Sequence, residues 1–214
     1  MTSEPKPFSI AVTGHRDLRP QDLPALRHEA ANVFKILRDQ MPGRPLMLLS
    51  GIAEGADQLV AEVARENGVL LTAVMPMPFD IYREQMPPAA QQKLDDLYAL
   101  ADSRILLPLD GRTPDKLRKS EEARAECYEA LAYYLVRNSQ TLIALWGGRP
   151  SNKAGGTCRV VNYARFGSDP AGAQHVESHC ECVYHVMTPR LSKPASAEQI
   201  RTSALKCLPS KPST

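Results

Sequence analysis

The run Leu48-Leu49-Ser50-Gly51-Ile52-Ala53-Glu54-Gly55-Ala56-Asp57 restricts the fold more than any other stretch of the chain. An apolar segment, Leu46 to Leu49, stops at Ser50-Gly51. From Gly55 onward the apolar residues Ala56, Leu59, Val60 and Val63 recur at helical spacing. The stretch reads strand, tight glycine turn, helix. Glycine at such a turn permits positive φ and lets a ligand come close. The helix that follows directs its free N–H groups and positive dipole end over the turn. This unit suits an anion or phosphate, and it equally suits a plain βα turn with small residues for packing.

The same unit recurs along the chain. Short apolar runs predict strands over residues 8–12, 46–49, 69–75, 103–107, 141–146 and 182–186. Helical periodicity predicts helices over about 21–40, 56–66, 89–101, 121–136 and 157–166, with Pro42-Gly43 and Asn67-Gly68 as stops. Residues 111–119 read as a polar loop. Beyond Arg190 the chain is rich in Ser, Pro and Lys, and 192–214 is expected to be a loosely held tail with room for a short helix over 197–207. Residues 1–191 are then one domain. Strands alternating with helices imply a three-layer α/β sandwich, a mostly parallel sheet with helices on both faces. Ligands in such folds bind outside the carboxyl ends of the strands, where the strand order reverses. The loops at those ends are 13–17, 50–57, 76–82 and 146–157, and all four carry glycine, proline or polar groups.

Bulk composition narrows the partners. A net charge of +2 over 214 residues gives no nucleic-acid-coating surface, so nucleic acid is not an expected partner. No apolar run approaches the roughly 20 residues that span a bilayer, and the first seven residues contain no apolar signal-like segment. The five cysteines are odd in number and scattered, which suits a reducing cytoplasm.

The candidate chemistry lies in the strand-end loops. Thr13 and Gly14 offer a hydroxyl and backbone N–H groups to a phosphate, Arg16 a bidentate charged contact, and His15 a further hydrogen bond. The alternative is a local Arg16–Asp17 ion pair with His15 capping the next helix. Ser50 and Gly51 shape the second turn. Glu54 is its ligand-facing carboxylate, whereas Asp57 suits the dipole of the helix start. Pro76, Phe79 and Tyr82 stand at the third edge, where an aromatic ring would stack on a base or enter the core. Trp146 either walls the pocket or lies in the core. Gly155-Gly156-Thr157 before a helix is a second phosphate cradle, although it is neither a Walker motif nor G-x-G-x-x-G. The cluster His175, His179, Cys180, Cys182 and His185 lacks the paired spacing of a zinc site. Neither metal nor cofactor is expected.

Taken in order, Val12-Thr13-Gly14-His15-Arg16, Ser50 to Asp57, Ala73-Val74-Met75-Pro76, Leu142 to Trp146 and Gly155-Gly156-Thr157 resemble the SLOG superfamily. These Rossmann-like domains take their name from the DprA/Smf and Lonely-guy proteins. The resemblance spans roughly residues 8–190 and implies nucleotide binding. By position, Gly14, His15, Arg16, Ser50, Gly51, Glu54 and Asp57 would line the site, and Gly155, Gly156 and Thr157 would bind phosphate. The version with Gly-His-Arg and Gly-Ala-Asp is similar to sensor domains of bacterial anti-phage systems. The hydrolase branch carries P-G-G-x-G-T-x-x-E, whose glutamate works at the glycosidic bond. Here Val160 stands at that glutamate's place.

The expected function is a cytoplasmic sensor for a nucleotide-derived signal, including cyclic ones, acting as a homo-oligomer or through a separate effector protein. The competing expectation is an enzyme, a nucleoside or nucleotide N-glycosidase with Glu54, or else Asp57, as its carboxylate.

Overall fold

The computed structural model describes residues 5–150, 155–168, 175–192 and 200–206. Its strands are β1 (Phe8–Gly14), β2 (Leu46–Ser50), β3 (Leu70–Met75), β4 (Ser103–Leu106), β5 (Thr141–Trp146), β6 (Cys182–Met187) and β7 (Thr202–Lys206). They form one sheet in the order β4-β3-β2-β1-β5-β6-β7. Strands β1 to β6 pair in parallel, and β7 runs antiparallel to β6. The helices are α1 (Leu23–Gln40), α2 (Ala56–Glu66), α3 (Phe79–Glu84), α4 (Pro88–Leu100), α5 (Pro114–Lys119), α6 (Glu121–Asn138) and α7 (Thr157–Phe166).

Parallel strands are covered on both faces, so they are written as nearly continuous apolar runs. In β1, Ile10, Val12 and Phe8 point into one core with Leu26, Ala30, Val33, Phe34 and Leu37 of α1 and the buried face of α2. Ala11, on the opposite face, joins a second core with Leu131, Ala132, Leu135 and Val136 of α6 and Val160, Val161 and Ala164 of α7. Full burial of each large apolar side chain contributes roughly 1.5–3 kcal/mol. The helices after β1, β2 and β3 thus cover one face, and those before and after β5 cover the other. The strand order reverses between β1 and β5, so the loops that leave their carboxyl ends lead to helices on opposite faces of the sheet.

Three features differ from the sequence expectation. The third edge is not a turn but the helix α3. Residues 114–119 are not loop but α5, started by Pro114 and by the Thr113 hydroxyl, which accepts the Lys116 N–H. Of the tail, expected to be loose with a short helix over 197–207, the described residues 202–206 form β7, while 193–199 and 207–214 lie outside the described residues. The free edge of β6 supplies a ladder for any extended segment, and Leu205 packs against the second core. Among the described residues, no helix is long and apolar enough to cross a membrane.

Candidate functional site

A cleft of about 610 Å³ opens at the switch point, outside the carboxyl ends of β1 and β5. That is the size range of small-molecule sites, about 300–1,000 Å³. Strand-end loops and one face of α6 line it.

The loop after β1 is held from two sides. His15 Nε2 accepts the N–H of Gly147 at 3.0 Å, and the His15 N–H donates to the Leu145 carbonyl at 3.0 Å. An accepting Nε2 places the ring proton of the neutral imidazole on Nδ1. The local Arg16–Asp17 pair is not what forms. Asp17 binds Arg190 at 2.8 Å and also accepts from Ser192, which tethers the segment after β6 to this loop. The Arg16 guanidinium instead lies 5.5 Å from the centroid of the Tyr128 ring.

The second loop closes mostly on itself. Ser50 Oγ accepts the Ile52 N–H at 2.9 Å, the Ala56 N–H goes to the His15 carbonyl at 3.0 Å, and the Gln58 N–H goes to the Ala53 carbonyl. Those donors are used within the protein, which leaves little of a phosphate cradle at the start of α2. Gly55 has φ +87°, and a Cβ there would stand 2.3 Å from the Arg16 carbonyl oxygen, so this glycine lets the second loop pack against the first. What the loop delivers to the cleft is Asp57. It is only 8% exposed, and burial drives its carboxyl up to about 7, against the Ala53 N–H and the Arg16 charge. Beside it lies the fully buried Tyr82 of α3, whose hydroxyl has no hydrogen-bond partner among the described residues. Burial and the neighbouring Asp57 hold the Tyr82 phenol well above its ordinary range, so it stays a donor.

The third wall is the start of α7. Gly156 is its N-cap and Thr157 its first residue. The first N–H groups of a helix have no partner inside it, and Gly155, Gly156, Thr157 and Cys158 all line the cleft. Glu129 of α6 fixes this loop, with one carboxylate oxygen accepting the Gly155 N–H at 2.6 Å and the other accepting the Tyr163 hydroxyl at 2.5 Å. Arg159 reaches the same carboxylate at 3.4 Å.

Of the residues expected at a site, Thr13, Gly14, His15, Arg16, Asp57, Tyr82, Trp146, Gly155, Gly156 and Thr157 line this one cleft. Four do not. Ser50 is buried with its hydroxyl turned to its own loop. Gly51 lies behind Leu131, Asp57 and Tyr82. Pro76 is buried at the end of β3. Glu54 faces a separate, smaller depression with Arg27, Glu62 and Lys93, because Gly55 turns the chain between it and α2. Phe79 stacks on Tyr98 at 4.4 Å, away from the cleft. Val160 does line the cleft, so a valine side chain, not a carboxylate, occupies that wall.

Sequence reasoning missed Arg124, Tyr128 and Arg149, which also line the cleft. Arg124 spans to the Leu117 carbonyl at 2.7 Å. The one face of α6 that carries Ala125, Tyr128, Leu131, Ala132 and Leu135 reads as core, yet all five border the cleft.

No family model matches the chain. It is 29% identical over 139 residues to the cell division protein FtsZ 2 of Methanocaldococcus jannaschii, a stretch covering 59% of this chain and 37% of that protein. It is 30% identical over 89 residues to the cell division protein FtsZ of Buchnera aphidicola, covering 39% of this chain and 23% of that one. The matched stretches are thus well under half the length of these curated relatives. Among solved structures, DNA processing protein A of Streptococcus pneumoniae is 21% identical with a TM-score of 0.47, over 75% of this chain and 49% of that chain. DNA processing protein A of Helicobacter pylori, described for its single-stranded DNA binding mode, is 14% identical with a TM-score of 0.41, over 68% and 57% of the two chains. A structural-genomics target designated TM1055 is 14% identical with a TM-score of 0.36, over 64% and 60%. In its sheet order, its parallel strands and its strand-end cleft the chain is a Rossmann-like α/β protein, similar to the SLOG superfamily in the motifs its sequence carries.

Proposed function

We propose that the chain is a nucleotide-binding domain that takes a nucleotide-derived ligand in the cleft between β1 and β5. One observation carries this reading: the N-terminus of α7 and the arginines Arg16, Arg124 and Arg149 line a single cleft of mononucleotide size. Helix N–H groups and guanidinium forks are the two protein groups best matched to phosphate oxygens. Tyr128 and Trp146 supply flat apolar walls for a base. With valine at position 160, the domain serves as a sensor: binding, rather than turnover, is the output, passed on through self-association or a separate effector of the kind the SLOG resemblance implies.

A second reading rests on Asp57. A carboxyl group that titrates near neutrality inside a ligand cleft suits general acid–base work at a glycosidic bond. In that case the enzyme is an N-glycosidase that uses Asp57 and not Glu54.

The two separate in one experiment. Purified protein is titrated calorimetrically with mono-, di- and cyclic nucleotides and with a single-stranded oligonucleotide, and the mixtures are then analysed for free base. Binding without base release, weakened about tenfold or more by Arg16→Ala, supports the sensor. Base release lost in Asp57→Asn supports the enzyme. Binding of the oligonucleotide alone overturns both.

A further inference from the structure

The floor of the cleft holds a feature that phosphate binding does not use. Asp57 and Tyr82 come from different elements, α2 and α3, yet a Cβ built on Gly51 would lie 3.4 Å from Asp57 Oδ2 and 3.6 Å from the Tyr82 hydroxyl. Both residues are more than nine-tenths buried, both line the cleft, and the Tyr82 hydroxyl has no partner among the described residues. Leaving a buried hydroxyl unmatched is costly. The charged group that faces the pair is Arg16, whose guanidinium acts on both. Tyr128 links this floor to the phosphate wall. Its ring centroid is 6.3 Å from that of Tyr82, while its backbone and Cβ abut Gly155.

We infer that Asp57 and Tyr82 form a subsite for the vicinal hydroxyls of a ribose, so that the domain selects ribonucleotides over deoxyribonucleotides. This rests on the nucleotide reading above. A ribose diol donates one hydrogen bond to the Asp57 carboxyl oxygen and accepts one from the phenol, which satisfies both floor groups at once. A deoxyribose removes one of these bonds and leaves a buried polar group unmatched, the kind of loss that discriminates strongly. The start of α7 and the pair stand on either side of Tyr128 in the same cleft.

The test compares ribonucleoside monophosphates of the four bases with their 2′-deoxy and 3′-deoxy forms by titration calorimetry, on the wild type, Tyr82→Phe and Asp57→Leu. Each protein is first checked for a cooperative melt. At least a tenfold preference of the wild type for a ribo form over one deoxy form, falling below threefold in both variants, is the expected result. Equal affinity for ribo and deoxy forms overturns the subsite and leaves the nucleotide reading standing. A preference retained in either variant also overturns the pair. Binding of none of these nucleotides by the wild type overturns the nucleotide reading and the subsite with it.

Discussion

The imidazole Nε2 of His15 accepts the backbone N–H of Gly147 at 3.0 Å and so joins the end of β1 to the end of β5 across the switch point. Parallel β1 and β5 already pair up to Gly14 and Leu145. The side-chain bond extends that pairing beyond the strand ends, at the mouth of the cleft. His15→Ala removes the acceptor and leaves the Gly147 N–H to solvent. The expected loss is about 1 kcal/mol of stability, the scale of one hydrogen bond. Amide exchange measured by NMR is expected to speed up at least tenfold at Gly147 and to change little in the middle of β5. Unaltered exchange at Gly147 would show that the loop is held by other contacts.

Glu129 plays the matching role on the opposite wall. Its two oxygens hold the Gly155 N–H and the Tyr163 hydroxyl, and Arg159 balances its charge. Gly155 sits at φ +60° with Tyr128 atoms 2.7–2.9 Å from where a Cβ would stand, so the loop has one snug seat. Glu129→Gln keeps the shape but turns one acceptor into a donor and cancels the charge. Urea unfolding is expected to show a loss on the order of 1–3 kcal/mol, as for hydrogen bonds to charged groups. Nucleotide affinity is expected to fall about tenfold, since the N-terminus of α7 is no longer held against the cleft. A stability loss with unchanged affinity would separate Glu129 from the site.

Glu54 is the residue for which no effect on the main cleft is expected. It faces the depression shared with Arg27, Glu62 and Lys93. Glu54→Gln is expected to leave nucleotide affinity within twofold of wild type, and any base release unchanged. A tenfold change in either by the same titration and base-release assays would return this carboxylate to the site.

The sheet was legible because fully buried parallel strands are written as apolar runs that leave little choice of partner face. The loops were legible because topology says where a cleft forms before any side chain is considered; Arg16, Trp146 and Gly155 to Thr157 line the cleft at that place. Side-chain direction was not legible. Glu54 and Asp57 are three residues apart, and only the positive φ of Gly55 between them sends the first away from the cleft and the second, on the first turn of α2, into it. Nor did periodicity separate core from cleft on α6, because Tyr128 and Leu131 present the same apolar face to either. The strand β7 was hidden for a related reason: Thr202 to Leu205 carries little intrinsic signal, and the open edge of β6 decides its conformation.

Asp57 links this geometry to pH. Desolvation pushes its carboxyl from an unfolded value near 3.8 up to about 7 in the folded protein, with the Ala53 N–H and Arg16 opposing the rise. Between those two pH values the folded chain holds a proton that the unfolded chain has released. Stability therefore falls as pH rises from about 4 to about 7, by at most about 1.4 kcal/mol per pH unit, and the deficit is complete above that window. The substitution Asp57→Asn keeps the shape of the side chain and leaves no charge to desolvate. Urea unfolding of both proteins is expected to give equal stability near pH 4. At pH 8 the variant is expected to be the more stable by on the order of 2–4 kcal/mol. Taking the difference between the two proteins cancels the titration of every other group, so a gap that does not widen between pH 4 and pH 8 would show that Asp57 is ionised in the fold throughout.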